Sequence, residues 1–258
     1  MGKGVFEVYL NDNHLIYQFQ TKAICSMKNV SLIVTTLFSI FQFSYAQDCS
    51  QSFFALTEGT KIEMTSYNAK DKPTNTSESL IKSIKSNSTG FEATVESTIK
   101  NDKGKVLTEG KTYTVKCDNG TIKLDISSMM MGDMSSQMKS MEATISGEGI
   151  DYPSNLSEGM TLKDGTTEIK MGNNGMTFMT MKFDIKNRKV EKKESITTPA
   201  GTFDCFKITY DMDMKMMLKR SIKIAEWIAP GVGVVKTESY NQKGELENYT
   251  LLTKFVKP

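Results

Sequence analysis

Apolar residues recur at every second position along most of the chain, and turn residues interrupt the pattern at short intervals. In "STGFEATVESTIKNDKGKVLTEGKTYTVKCDNGTIKLDIS", Phe91, Ala93 and Val95 share one side of an extended chain. Tyr113, Val115 and Cys117 do the same, followed by Ile122, Leu124 and Ile126. A period of two predicts strands with one buried and one solvated face. Asn101 to Gly104 marks a turn, and Asp118-Asn119-Gly120 predicts a tight hairpin, because Asn and Gly tolerate the positive φ such turns need. "KIEMTSYNAKDKPTN" reads as a strand entering a polar turn. Later, "TEIKM", "MTFMTMKFDI" and "RKVEKKESITT" are strand-like and lead to a turn at Pro199-Ala200-Gly201 and the strand "TFDCFKITYDMDM". Residues 219–258 predict three more strands, broken at Pro230-Gly231 and at Asn241 to Gly244. The stretch "GEGIDYPSNLSEGMTLKDG" predicts a long, turn-rich connection.

One segment departs from this texture. "SSMMMGDMSSQMKSM" (127–141) places Met130, Met134, Met138 and Met141 at spacings of 4, 4 and 3, one face of an α-helix. Ser127 or Ser128 can cap its start and Gly147 follows its end, so a helix is predicted over 127–143. The expected fold is therefore mainly β: a curved antiparallel sheet or open barrel, with one Met-rich helix packed on or in it. "FALTEGTKIEM" (54–64) and "SNLSEGMTLKD" (154–164) share a Leu-Ser/Thr-Glu-Gly core, which suggests two similar halves joined near 127–153. The plainer alternative is that both are polar turns entering a strand.

The N-terminal region carries a targeting signal. From Met27 the chain reads "MKNVSLIVTTLFSIFQFSYAQDC": a short positive start, a largely apolar stretch, then the small residues Ser44 and Ala46. That pattern predicts a signal peptide over 27–46, cleaved near Ala46, with residues 1–26 a misassigned upstream extension. The mature chain, 47–258, is expected to be a single β domain in the periplasm or outside the cell. It contains no further apolar stretch of membrane-spanning length, so no integral membrane anchor is expected.

Charge narrows the partners. The chain has 32 basic and 30 acidic residues, of which 1–46 hold three and two; 32 − 3 = 29 and 30 − 2 = 28 remain in the mature part. So even a balance supplies no electrostatic reason for nucleic acid to bind. Histidine narrows the chemistry. The single histidine, His14, lies in the leader, which removes histidine triads, histidine general bases and His-ligated zinc from the mature chain. No nucleophile elbow, phosphate-binding glycine loop, EF-hand loop or CxxC pair is present. The chain is read as non-catalytic, with no cofactor.

Three cysteines remain in an oxidising compartment: Cys49, Cys117 and Cys205. All three pairings are open. Cys49–Cys117 is preferred, because it would staple the mature N-terminus to a strand end, while Cys205 sits in an apolar strand as a small hydrophobe would.

The methionines admit three readings. A Met-faced helix most simply packs against the sheet. It also suits a surface that adapts to apolar ligands, since the thioether chain is flexible and polarisable. Thioethers are soft ligands too, so Met130, Met134 and Met138 could hold Cu(I), with Met212, Met214, Met216 and Met217 in "DMDMKMM" adding more. Met212, Met214 and Met216 alternate as a strand with one apolar face would, which favours packing.

"ITTPAGTFDCFKITY" (196–210) and "AEWIAPGVGVVKTE" (225–238) resemble a family of bacterial envelope proteins of unknown function. In that family a TPAGTF turn leads into one strand, and a W-x-A-P-G-V-G-x-V-K hairpin joins two later ones. "FFALTEGTKIEMTSYNAKDK" (53–72) is similar to the family's first strand. The resemblance implies a curved sheet or open barrel like that of periplasmic lipoprotein carriers, and transfers no activity. Taken by themselves, the same motifs are hairpins, with Trp227 the best candidate for a core or cavity-lining aromatic. The function expected is an exported binder of an apolar small molecule or lipid. Copper binding and a structural envelope module without ligand are the alternatives.

Overall fold

The computed structural model describes residues 49, 52–54, 56–124, 142–174 and 176–258. Thirteen strands form one antiparallel sheet. They are β1 Lys61–Asn68, β2 Pro73–Ser86, β3 Gly90–Asn101, β4 Val106–Asp118, β5 Thr121–Leu124, β6 Glu142–Glu148 and β7 Ile150–Pro153. The rest are β8 Gly165–Asn173, β9 Met176–Thr198, β10 Gly201–Lys215, β11 Lys219–Ala229, β12 Gly233–Tyr240 and β13 Leu246–Val256. Their order across the sheet is β6-β8-β9-β10-β11-β12-β13-β1-β2-β3-β4-β5-β7. The two edge strands, β6 and β7, are consecutive in the chain with only Gly149 between them. One segment thus pairs first with β8 and then, past the glycine, with β5. This hand-over bends the sheet into a nearly closed barrel and leaves little free edge.

The predicted turns form for the predicted reason. At the β4–β5 hairpin Asn119 and Gly120 both take positive φ, 48° and 73°. Three other hairpins share one device. Asn68, Asn101 and Asn241 each accept two backbone N–H bonds on the side-chain oxygen, from Lys70 and Lys72, Lys103 and Lys105, and Lys243 and Glu245. Asp71, Gly104 and Gly244 then turn the chain back with φ of 57°, 75° and 81°.

Alternation puts apolar residues on both faces of the central strands. On β11, Ile224 and Ile228 join the main core, which also gathers Ile81, Ala93, Val95, Val115, Ile122, Tyr152, Val190 and Ile208. Ala225, Trp227 and Ala229 point the other way, into a second core with Cys205, Val235 and Leu252. A third cluster, Ile169, Met171, Met181 and Phe183, lies along β8 and β9. The expected disulfide is present: Cys49 and Cys117 are bonded, closing a 68-residue separation, and Cys205 is a buried free thiol.

Four expectations change. Met130, Met134, Met138 and Met141 lie outside the described residues, but the end of the predicted helix is not helical: 142–148 is strand β6. Helical spacing is a local preference, and here the open edge of β8 supplies a ladder from Glu142↔Gly172 to Glu148↔Thr166 that outweighs it. No α-helix occurs among the described residues. The connection predicted after the methionine run contains the closing strand β7, whose four residues are too short to show a period. "MTFMTMKFDI" and "RKVEKKESITT" are one strand, β9, carrying bulges. Finally, β10 ends at Lys215, so Met216 does not continue its apolar face; Met216, Met217 and Leu218 are exposed at the β10–β11 turn.

Candidate functional site

Among the described residues, buried charged side chains occur at one place only. There Arg188 from β9, Glu226 from β11, Tyr152 from β7 and Tyr210 from β10 are all buried together. Each reaches the interior for a local reason. Met181, Phe183 and Ile185 face inward on β9, and strict alternation would next send Asn187 inward. A bulge intervenes instead: Lys186 pairs with Asp211 and Lys189 with Thr209, so Asn187 and Arg188 together oppose Tyr210. Asn187 takes a left-handed φ of 57° and donates from its amide to Asp211 at 2.8 Å. The extra residue turns Arg188 inward, which is how bulges re-aim side chains.

Arg188 is fully buried, at 0 % exposure. Its Nη1 donates to the carbonyls of Asp151, 3.0 Å, and Lys163, 2.8 Å. Its guanidinium carbon lies 5.1 Å from the centre of the Tyr152 ring, within cation–π range. Among the described residues, Nε and Nη2 have no hydrogen-bond partner. Glu226 is gripped by two hydroxyls: Tyr152 donates to one carboxylate oxygen at 2.7 Å and Tyr210 to the other at 3.3 Å. Burial raises the Glu226 carboxyl above its ordinary range, against the lowering effect of the two tyrosines and Arg188. Burial, and then the Glu226 charge, push both tyrosines well above theirs.

Tyr210 and Glu226 stand in the stretches 196–210 and 225–238 that carry the family resemblance, but nothing there marked them as a site, and Arg188 and Tyr152 lie outside both. Two signals were nonetheless in the sequence. Arg188 and Arg220 are the only arginines among the 32 basic residues, and Arg has the planar fork suited to buried recognition that Lys lacks. Glu226 is a charge inside the otherwise apolar run Ile224 to Ala229.

Trp227, singled out from sequence, is not brought to this place. Trp227 is buried on the opposite face of β11 from Glu226, in the second core. Its indole N–H donates to Glu194 at 2.7 Å, and the ammonium groups of Lys207 and Lys236 lie 4.8 and 4.7 Å from its ring centre. Lys192 first, and the Trp227 N–H second, hold the Glu194 carboxyl below its usual range. Cys205 sits in the same core, and burial pushes its thiol up to about 11. The four methionines of 130–141 lie outside the described residues. Among those residues, no group of three or more His, Cys, Asp or Glu side chains could hold a metal ion.

Residues 57–252 match the model of the DUF3108-like family. The chain belongs to that family. Two solved structures are similar over 80 % of the chain. One is a protein described as exported, with a YmcC-like fold, from Bacteroides fragilis, at 26 % identity and a TM-score of 0.64, covering 99 % of that chain. The other is a protein described as a lipoprotein from Parabacteroides distasonis, at 26 % identity and a TM-score of 0.65, covering 98 % of that chain. No curated protein matches the chain. The envelope-family resemblance read from the TPAGTF and W-x-A-P-G-V-G-x-V-K motifs thus agrees with the family match, and the neighbours share the nearly closed barrel. No described helix is long and apolar enough to cross a membrane.

Proposed function

We propose that this protein is an exported, non-catalytic binding protein of the bacterial envelope that holds an apolar or lipid-like molecule within its barrel. The observation that carries the reading is the shape and lining of the sheet. Thirteen strands curl into a nearly closed barrel whose enclosed face is apolar. Barrel diameter grows with strand number, and eight strands already suffice to surround one small ligand. One structural neighbour is described as exported and another as a lipoprotein, which supports an envelope location for this chain. A buried carboxyl held by two tyrosines gives the lining a polar point that could orient such a molecule.

Native mass spectrometry of the protein purified from its own envelope tests this. A co-purifying lipid-like mass, released by organic solvent, is the expected result. A bare protein mass, with an experimental structure whose interior is filled by side chains throughout, would establish the structural-module reading instead.

A further inference from the structure

A guanidinium carries five N–H bonds on three nitrogens in one plane. In Arg188 those on Nη1 are spent on two backbone carbonyls, Asp151 O and Lys163 O. The Nε–H and one Nη2–H lie parallel along another edge, the edge that takes the two oxygens of a carboxylate or phosphate side-on. Those are the nitrogens without a partner among the described residues, and both are buried. Leaving buried donors unpaired is costly, and more so for a charged group. The edge is also fixed in place, by the Nη1 bonds and the Tyr152 ring beneath it.

The topology does not require this charge. The turns at Leu56 to Thr60 and Leu156 to Met160 make matching bonds. Gly59 N–H donates to Ile81 O and Gly159 N–H to Val190 O, while Ile81 and Val190 donate back to Thr60 O and Met160 O. Glu58 accepts from Ile84 N–H as Glu158 accepts from Lys193 N–H, three residues further along each strand. Ile81 pairs with Val95 and Val190 with Ile208, each beside a bulge. Two residues back from Ile81 stands Ser79, where the second half has Arg188. Across from Val95 stands Tyr113, where Glu226 stands across from Ile208. In the first half the Ser79 hydroxyl simply lies beside Tyr113. The same architecture is therefore built once without a buried ion and once with Arg188 and Glu226.

We propose that the Nε–Nη2 edge of Arg188 anchors the oxyanion, carboxylate or phosphate, of an amphipathic ligand whose hydrocarbon lies along the apolar interior. The proposal rests on the apolar-ligand reading and adds the chemistry of the head. Burial favours the neutral form of Glu226, so the anion would meet a cation that its neighbour does not fully compensate.

Calorimetric titration of the purified full chain with decanoate, decyl phosphate, decanol and inorganic phosphate tests it. The two anionic amphiphiles are expected to bind about tenfold or more tightly than decanol, since a bidentate charge-assisted pair exceeds the ~1.4 kcal/mol that a factor of ten represents. Arg188→Lys keeps the charge and removes the fork, and should abolish that preference. Equal binding of decanol and decanoate by the wild type overturns the anchor, leaves the apolar-ligand reading standing, and decides the matter even if the variant fails to fold. Binding of inorganic phosphate, lost in Arg188→Lys, with no decyl compound bound, keeps the anchor as a site for a free anion and removes the apolar-ligand reading. Binding of none of the four overturns both.

Discussion

The Tyr152 hydroxyl donates a 2.7 Å hydrogen bond to the Glu226 carboxylate, joining β7, the strand that completes the barrel, to β11 on its far side. The two residues are 74 positions apart, and Tyr152 lies outside the family stretch 225–238 that contains Glu226. The bond ties the closing segment to the sheet through a buried titratable group, which makes closure sensitive to what that group does.

Folding raises the Glu226 carboxyl, chiefly by burying it. A group whose pKa is raised on folding stabilises the folded chain most fully below its unfolded pKa, and that contribution is lost as pH rises through the higher folded value. Glu226→Gln cannot ionise. Its melting temperature relative to wild type is expected to shift in the variant's favour on going from acid to neutral pH, as thermal unfolding followed by circular dichroism would show. A constant difference across that range would contradict the assignment.

The Cys49–Cys117 bond closes a separation of 68 residues. Loop-closure entropy of that length stabilises by about 4 kcal/mol in the chain-entropy model. Reduced protein should therefore unfold at a markedly lower denaturant concentration than oxidised protein, measured by urea titration with and without dithiothreitol.

Cys205 is buried and its thiol is pushed up to about 11, by burial first and by Asp204 and Glu194 next. A thiol reacts as thiolate, so at pH 8 only about one molecule in a thousand is poised to react even where a reagent can reach it. Ellman's reagent should label native protein very slowly and label it fully once urea unfolds it.

Gly233 takes φ of 104°, and an added Cβ would come within 3.3 Å of the Phe54 ring. Gly233→Ala is expected to cost about 1–3 kcal/mol from backbone strain alone. Gly104 also has positive φ, 75°, but nothing lies within 4 Å of its Cβ position. Gly104→Ala should thus cost less, and chemical denaturation of the two variants measures the difference.

The strand content was legible because one-sided burial imposes a period of two. Phe91, Ala93 and Val95 pack into the main core, as do Tyr113, Val115 and Cys117. Hairpins were legible where backbone geometry demands a residue type, as at Asn119-Gly120 and Gly231. Closure was not, because β7 has four residues and its pairing with β5 depends on where the rest of the sheet has already travelled. The site was hidden for a related reason. Strict alternation would point Asn187 inward, and only the bulge opposite Tyr210 substitutes Arg188. Trp227 was legible as a buried aromatic; which face of β11 it occupies depended on two cores forming on opposite sides of one strand.

By itself, then, the sequence determined local conformation and chemical repertoire: strands, turns, a leader-like N-terminal pattern, and no histidine after His14. These follow from side-chain periodicity and from residue types with their own backbone preferences. Only tertiary structure decided that Glu142–Glu148 is strand, that β6 and β7 bridge the two sheet edges, and that Arg188, Tyr152, Tyr210 and Glu226 meet. Those outcomes depend on backbone groups finding partners far away in the chain, and on a one-residue insertion that changes which side chain faces inward.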